Sequence, residues 1–588
     1  MAATIERRAD SGAANGALRP PWTRRRIALT ATAVGLGLAV VWGWGHVGMS
    51  IGALFTGFGD IVNLLGRMFP PRFVDTSRVI ELAWETLLMA LLGTVLAVAL
   101  SIPVAFLAAQ NTSPNRVAYV GARAVITMAR AVPDLIFALI FVRALGIGPL
   151  PGILALGLHS IGMIGKLFAD AIEQVDEGPR DALRSTGAGR LQELSSAVVP
   201  QVLPSFIAVG LYRLDINLRV SVILGIVGAG GIGFELQSAL RSLVYDRAMG
   251  IVIVIAIMVI AVEFASSAIR QSIIGREAAG VVRGARQTDS LGARMLGKTG
   301  DPDVPAVTSD APGGARPEPA TVVTQTPTGS LRPPWTTTRV LKTSYLVLLG
   351  GLVLAAFLTI DISPVELFTS VPEIIEISTR LFPPDFTTAW DAMKEGMIET
   401  VAIGLVSTAI GVVFMAPFAF LSARNIAPNS TVFYVARSVL VVLRSIPELI
   451  LAVIFVAAMG LGPVPGVLAL AVGTVGFLAK LMADSLEEID DGPREAVNTT
   501  GATRLQETAS SVVPQAMPAF VANALYALDI NIRTSTILGI VGGGGIGFLL
   551  FNSIKTLNLE VTGAIIIMIF GVVYAIELLA GWIRKLLL

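Results

Sequence analysis

The amino-acid sequence contains two copies of one long pattern, and this duplication limits the folds that it can adopt. The phrase "LRPPWT" begins at Leu18 and again at Leu331, and "FPP" begins at Phe69 and again at Phe382. When 165–200 is aligned with 479–514, more than half of the positions hold the same residue. A shared apolar composition would not keep polar residues in register over such a length, so the match indicates a duplicated structural unit.

Each copy contains six apolar runs long enough to cross roughly 30 Å of hydrocarbon, which takes about 20 helical residues. They are 27–45, 80–108, 117–144, 150–174, 200–224 and 247–272, then 343–361, 393–422, 431–460, 464–488, 514–538 and 561–582. Of the 588 residues, 54% are hydrophobic and only 14% are charged, unlike an ordinary soluble domain. The sequence predicts an all-α polytopic membrane protein with two homologous six-helix halves, about 12 transmembrane helices and pseudo-twofold symmetry.

Six crossings are an even number, so both ends of each copy lie on one side of the membrane. Basic residues flank these ends, and the positive-inside rule assigns that side to the cytoplasm. We therefore expect a cytoplasmic tail at 1–26, transmembrane domains at 27–275 and 341–588, and a disordered cytoplasmic linker at 276–340. Both termini are then cytoplasmic, in a multi-pass protein of the cell membrane, either an inner or a plasma membrane. The flanking residues are Arg24, Arg25, Arg26, Arg270, Arg276, Arg283, Arg339, Lys342, Arg584 and Lys585.

Composition excludes several kinds of site. The sequence has no Cys and two His, which removes thiol and iron–sulfur chemistry and leaves too few ligands for the usual zinc sites. No metal site is therefore predicted. The net charge of +1 gives no bulk electrostatic basis for binding nucleic acid.

Two nucleotide-binding patterns occur outside the context that they need. "GIVGAGGIG" at 225–233 contains G-x-G-x-x-G, but a membrane span follows it where a dinucleotide fold would place another parallel strand. "GARMLGKT" at 292–299 matches the P-loop letters, but it lies in the linker and runs into "GDPDVP", which cannot continue a helix. The chain is therefore not predicted to be an enzyme.

A charged segment follows the fourth span of each copy, "DEGPRDALRSTGAGRLQELSSAVVP" and "DDGPREAVNTTGATRLQETASSVVP". Pro179 and Pro493 suit the first turn of a helix, and Gly187 and Gly501 suit its end. The sequence predicts a helix–turn–helix on the cytoplasmic side.

The spacing of these segments resembles the signature of ABC importer permeases, E-A-A-x3-G-x9-I-x-L-P. The phrases "FPPDF", "GPVPGVLAL" and "GKLFADAIE" look, more narrowly, like the phosphonate-type importer permeases, relatives of the methionine-importer fold, over nearly all of both halves. The Ile and Leu places depart from the signature, with Ala197 and Val199, then Ser511 and Val513. The matching residues are Asp181, Ala182, Gly187 and Pro200, and Glu495, Ala496, Gly501 and Pro514.

The resemblance implies an importer permease for a phosphorus oxyanion (phosphonate, phosphate or phosphite), with two copies fused in one chain. It implies two copies of a cytoplasmic ATP-binding subunit docked on the charged segments, and an extracytoplasmic substrate-binding protein. ATP and Mg would lie on the ATP-binding subunits, and this chain would bind no cofactor. A secondary transporter of a small anion, an ABC importer of another small solute such as an amino acid, and a membrane dehydrogenase remain open as alternatives.

Ionised side chains inside the spans are the candidate substrate contacts, because each costs roughly 2.5–3.5 kcal/mol at the bilayer centre. Four pairs have i,i+4 spacing, close enough to touch. Arginine's planar fork suits a phosphoryl oxyanion, although self-neutralising structural pairs would have the same spacing. Lys166 and Lys480 are expected to be interfacial anchors. The four pairs are Arg130 with Asp134, Arg444 with Glu448, Asp215 with Arg219, and Asp529 with Arg533.

The repeated glycine phrases are predicted to break the fifth span at the external mouth. At about 1.5 Å per residue, Arg219 is expected roughly 28 Å from Pro200, near the outer surface, with the glycines just beyond. Bare backbone there can bend, pack closely or offer amides to an anion. We expect a gate at Gly228, Gly230, Gly231, Gly542, Gly544 and Gly545.

Overall fold

The computed structural model describes residues 24–287, 337–360, 369 and 371–587, and within these ranges the secondary structure is helical, without a strand. We number ten helices in each half. Helix α1 of the first half is equivalent to α11 of the second, α2 to α12, and so on. The first half contains α1 (Arg24–His46), α2 (Ile51–Met68), α3 (Thr76–Ala108), α4 (Arg116–Ala131), α5 (Asp134–Leu145), α6 (Pro149–Glu173), α7 (Glu177–Ser185), α8 (Arg190–Ile226), α9 (Gly231–Arg241) and α10 (Tyr245–Gln287). The second half contains α11 (Thr337–Thr359), α12 (Val371–Arg380), α13 (Trp390–Ser422), α14 (Ser430–Ser445), α15 (Glu448–Met459), α16 (Pro463–Glu487), α17 (Asp491–Asn498), α18 (Arg504–Val541), α19 (Ile546–Lys555) and α20 (Leu559–Leu587).

Eight of the described helices are long and apolar enough to cross a membrane, namely α3, α6, α8, α10, α13, α16, α18 and α20. The pair α4 and α5 and the pair α14 and α15 are each long and apolar enough, taken together, for one further span, and each pair is sharply bent. Helices α1 and α11 stand where the remaining two spans were predicted. The prediction of an all-α polytopic fold with a repeated half is confirmed.

A bent pair of helices occupies each predicted third span, where the sequence predicted one continuous apolar run, at 117–144 and at 431–460. The bends are 84° and 79°. Pro133 and Pro447 stand at the bends, and the residues before them, Val132 and Ile446, have extended backbones. A proline ring disfavours helical geometry at the preceding residue and removes one backbone donor, so each helix ends there and a new one begins after the proline.

The two halves interleave. Helix α1 packs against α13 of the second half, and α11 packs against α3 of the first. Two short helices that the sequence did not predict also pack against the opposite half: α2 contacts α15, and α12 contacts α5. Ala356 of α11 and Ile360, just after it, are buried in the same core as Leu88 and Leu92 of α3. Side chains of the two halves therefore share this core.

The predicted domain limits fall partly on residues that the structure describes. Helix α10 continues to Gln287, beyond the predicted start of the linker at 276, and α11 begins at Thr337. The remainder of the linker, with the P-loop-like phrase at 292–299, lies outside the described residues, as do residues 1–23 of the predicted tail.

The helical bundle has two ends that matter for function. We call the end that carries α7 and α17 the coupling end. The opposite end carries the glycine loops at 227–230 and 542–545, and we call it the glycine end. Helix α8 runs from the coupling end to the glycine end in 37 residues, and α18 does so in 38.

Candidate functional site

A cavity of about 260 Å³ lies between the two halves. Helices α4, α6 and α8 line it from the first half, and α14, α15, α16 and α18 line it from the second. Its cationic side chains outnumber its carboxylates, so the lining favours an anion. The charged residues in this lining are Arg130, Lys166, Asp215, Arg219, Arg444, Glu448, Lys480 and Asp484.

The predicted substrate-pathway residues divide between this cavity and the surrounding protein. Arg130, Arg219, Arg444, Asp215 and Glu448 line the cavity. Lys166 and Lys480, which were expected to be anchors, line it as well. In the part of the chain that the structure describes, the lining does not include Asp134, Asp529 or Arg533.

Arg219 lines the cavity in the last two turns of α8, close to the glycine end. The sequence placed it roughly 28 Å from Pro200, near the outer surface, and that depth stays a prediction. Helix α8 begins before Pro200, at Arg190. At about 1.5 Å per residue it is roughly 55 Å long, so part of it projects beyond a bilayer core.

Two of the four predicted arginine pairs are separated by the bends. Arg130 and Asp134 lie on opposite sides of one bend, as Arg444 and Glu448 do at the other, so helical i,i+4 spacing does not apply. Asp134 and Glu448 instead begin α5 and α15, where an acid is stabilised by the helix dipole.

The two pairs on straight helices are present. Arg219 Nη2 lies 3.5 Å from Asp215 Oδ2, and Arg533 Nη2 lies 2.8 Å from Asp529 Oδ2.

Two carboxylates that the sequence reading missed pair with the cavity arginines. Glu263 lies on α10, and the equivalent Glu577 lies on α20. Arg219 Nη2 is 3.3 Å from Glu263 Oε2, and Arg444 Nη2 is 3.6 Å from Glu263 Oε1. Arg130 Nη2 is 3.5 Å from Glu577 Oε1. Each is the one acid in its sixth predicted span, so the rule that found the other intramembrane charges would have found these.

The glycine loops are packed tightly, and the amides at the start of the helices that follow them donate to protein side chains. Gly231 N donates to Glu85 Oε1 at 3.1 Å, and Ile232 N donates to Thr86 Oγ1 at 2.9 Å. Two of the three roles considered for bare backbone are observed, a bend that separates α8 from α9 and close packing, and the carboxylate at the N-terminus of α9 comes from α3. All six predicted gate glycines have positive φ, which a residue without Cβ adopts at little cost. In the second half, Gly545 N donates to Glu399 Oε2 at 2.9 Å, and Ile546 N donates to Thr400 Oγ1 at 2.8 Å.

The predicted helix–turn–helix segments are present as α7 and α17. Asp176 caps α7 by accepting a hydrogen bond from Gly178 N at 3.0 Å, and Gly187 follows the helix with φ of 79°. Asp490 and Gly501 do the same for α17, with φ of 77° at the glycine. Asp181, Ala182, Glu495 and Ala496 are exposed, available to a partner.

A buried ion pair joins each of these helices to a spanning helix. Arg180 Nε lies 2.8 Å from Glu193 Oε1, and Arg180 also donates to the carbonyl of Asn111 at 2.9 Å. Arg184 donates to the same carboxylate, which raises the pKa of Arg184 above its usual value. Glu193 lies in the first turn of α8, the helix that brings Asp215 and Arg219 to the cavity. The coupling end and the cavity are thus connected by one continuous helix.

Comparison with known proteins gives the family. The family model described as "Binding-protein-dependent transport system inner membrane component" matches residues 101–276 and again 415–587. The chain belongs to this family and contains two copies of its permease domain. This confirms the predicted importer-permease resemblance and the fusion.

Individual relatives fit the same assignment. The chain is 50% identical to the phosphate-import permease protein PhnE of Mycolicibacterium smegmatis, over 91% of this chain and 90% of the relative. It is 44% identical to the phosphite transport system permease protein PtxC of Stutzerimonas stutzeri, over 42% of this chain and 89% of the relative. It is 30% identical to the probable D-methionine transport system permease protein MetI of Haemophilus influenzae, over 28% of this chain and 81% of the relative.

Proposed function

We propose that this chain is the membrane permease of an ATP-driven importer for a phosphorus oxyanion, that is a phosphonate, phosphate or phosphite. The observation that carries the proposal is the meeting of Arg130, Arg219 and Arg444, from both halves, at one cavity. A guanidinium offers two parallel donors to a phosphoryl group, a geometry that lysine lacks. Relatives named for phosphate and phosphite transport support the same class of substrate.

The size of the cavity supports a small solute. Its volume of about 260 Å³ is below the usual range for pockets that hold drug-sized ligands. Tyr212 and Tyr526 line it together with the charged groups. An oxyanion of a few heavy atoms fits such a space, with room for water.

Two ATP-binding subunits would drive the transport from the coupling end. Helices α7 and α17 are exposed there, and next to them Leu191 and Leu505 are 82% and 83% exposed. Large exposed apolar side chains beside a charged helix suit docking to another protein. A displacement of α7 by these subunits would be transmitted through the Arg180–Glu193 pair to α8, and along α8 to Arg219. ATP and Mg would be held by those subunits, and an extracytoplasmic binding protein would deliver the substrate.

The glycine loops would form the gate at the other end of the cavity. Ile223 and Val227 from the first half pack around the same core as Ile537 and Ile540 from the second. These apolar side chains lie beyond Arg219 on the way to the glycine end, where they would block an anion. Opening would then require the two glycine loops to move apart.

Uptake by the reconstituted complex tests the proposal. The full chain is placed in vesicles with its ATP-binding subunits and its substrate-binding protein, and uptake of labelled phosphate is measured against unlabelled methylphosphonate, phosphite and an amino acid. We expect uptake that requires ATP and that phosphorus oxyanions inhibit. Uptake that follows an ion gradient without ATP would show a secondary transporter, and inhibition by the amino acid alone would show an importer of another solute.

A further inference from the structure

We propose that Glu263 and Glu577 act as internal substitutes for the substrate, occupying the cavity arginines until an oxyanion displaces them. The inference rests on the proposed function, because it assumes that these arginines bind the transported anion. It goes further by assigning a role in substrate binding to two carboxylates on α10 and α20.

The geometry of Glu263 resembles that of a bound oxyanion. One of its oxygens, Oε2, faces Arg219, and the other, Oε1, faces Arg444. The carboxylate thus bridges two guanidinium groups, one from each half, with separate oxygens. A phosphoryl group presents the same pair of acceptor oxygens and could replace the carboxylate without moving either arginine far.

The contacts are long enough to be exchanged. Charge-assisted hydrogen bonds of this kind usually measure about 2.7–2.9 Å, and the Arg180–Glu193 pair at the coupling end measures 2.8 Å. At the cavity, the three arginine–glutamate distances are 3.3, 3.5 and 3.6 Å. Glu263 is 24% exposed and Glu577 is 40% exposed. A ligand that binds the arginines more closely can displace these long, partly exposed pairs at the cavity. The short, buried Arg180–Glu193 pair is instead suited to a structural role.

Both contacts cross between the halves. Glu263 belongs to the first half and meets Arg444 of the second, while Glu577 belongs to the second half and meets Arg130 of the first. A bound oxyanion would therefore take over arginines that now tie the halves together. The same exchange in reverse would help to release the anion, because the carboxylates rebind the arginines as the anion leaves.

The natural absence of cysteine allows a direct measurement of anion binding. The chain contains no Cys, so Leu443→Cys places a single thiol in the cavity lining. In the assembled complex, the rate of thiol labelling is measured against the concentration of inorganic phosphate. The variants Glu263→Gln and Glu577→Gln are added to this background. Glu376→Gln, which removes the carboxylate from an exposed pair with Arg380 on α12, is the matched control.

We expect phosphate to slow the labelling in every background. With Glu263→Gln, the half-protecting concentration should fall by about tenfold, which corresponds to roughly 1.4 kcal/mol of tighter binding. With Glu577→Gln, which frees one arginine, it should fall by about threefold, equivalent to roughly half of that energy. Glu263→Asp retains the charge and should stay near the unmodified value, and Glu376→Gln should cause no shift.

The outcomes separate this inference from the proposed function. If phosphate protects the thiol in the parent chain but Glu263→Gln leaves the protection unchanged or weakens it, Glu263 is a structural partner and the inference is wrong. If phosphate, phosphite and methylphosphonate all fail to protect the parent chain, the arginines do not bind the anion, and both proposals fall.

Discussion

The two halves carry the same Asp–Arg pair on their fifth spans, yet only one pair faces the cavity. Arg219 lies 3.5 Å from Asp215, contacts Glu263 and lines the cavity. Arg533 lies 2.8 Å from Asp529 and donates to the carbonyl of Arg130 at 3.4 Å. The first arginine is shared among loose partners, and the second is fixed by a short pair. A duplicated sequence therefore does not by itself give a duplicated site.

A second difference between the halves concerns the acid at each bend. In the first half, the shorter Asp134 accompanies His159, whose Nδ1 lies 3.1 Å from the carbonyl of Val132. In the second half, the longer Glu448 accompanies Gly473, where an added Cβ would lie 2.5 Å from Glu448 Cγ. The missing side chain leaves room for the longer acid, and Glu448 reaches the cavity whereas Asp134 does not. The two changes together keep the volume between these helices filled and alter the group that faces the cavity.

The largest expected effect separates the two fifth-span arginines. Arg219→Gln should reduce phosphate uptake by about 100-fold, because it removes charged hydrogen bonds worth roughly 3 kcal/mol to the bound anion. Arg533→Gln should reduce uptake by about threefold, since that arginine is held in a short pair with Asp529 and does not line the cavity. Initial uptake rates in the reconstituted complex measure both. Equal losses would mean that Arg533 reaches the substrate during the cycle, and the halves would then be functionally alike.

The glycine loops provide the next contrast. A Cβ at Gly544 would lie 2.8 Å from Pro463 Cα, whereas a Cβ at Gly230 would lie 2.6 Å from Glu85 Oε1, at the end of a flexible side chain. Backbone atoms can move away from a new Cβ less easily than the end of a flexible side chain can. Gly544→Ala should therefore destabilise the protein by about 3 kcal/mol, and Gly230→Ala by about 1–2 kcal/mol. Unfolding of the purified chain by denaturant in detergent gives the comparison. The reverse order would show that the Glu85 contact, rather than the backbone packing, holds these loops.

The coupling elements differ in the number of arginines on their central carboxylate. Glu193 meets both Arg180 and Arg184, while Glu507 meets Arg494 alone among the described residues. Arg494→Ala therefore leaves a largely buried carboxylate unpaired and should cost about 2 kcal/mol, against about 1 kcal/mol for Arg180→Ala. ATP-driven uptake, with chain abundance as control, should fall more for Arg494→Ala. Equal falls would indicate that both docking sites depend on the arginine itself and not on the carboxylate behind it.

The last contrast between the halves is the exchange between His159 and Gly473. Gly473→His should destabilise the chain by about 2 kcal/mol, because the imidazole meets the Glu448 side chain. Adding Glu448→Asp reproduces the arrangement of the first half and should return the stability to within about 1 kcal/mol of the parent. Thermal unfolding of both variants measures this. A double variant no more stable than Gly473→His would show that these two positions are not coupled through shared volume.

Much of the fold was predictable because its causes are local. A bilayer core requires about 20 apolar residues per crossing whatever the neighbouring helices do, and the long spans appear where the hydropathy placed them. The coupling helices were predictable for the same reason, since Pro179 and Gly187 suit the start and end of a helix through their own backbone preferences. Pro133 and Pro447 are a local signal for the bends too, but the apolar runs continue on both sides of them and have the length of a single crossing.

The amino-acid sequence by itself determined the duplication, the spanning helices, the coupling elements and the inventory of intramembrane charges, all of which follow from short-range chemistry and the thickness of the membrane. The tertiary structure decided which of those charges meet. Arg219 and Arg533 have the same local sequence position, but Arg219 lines the cavity and contacts Glu263, whereas Arg533 is held by Asp529. Which charged side chains contact one another depends on helices far apart in the chain and on differences as small as one methylene group. No local sequence pattern predicts these contacts.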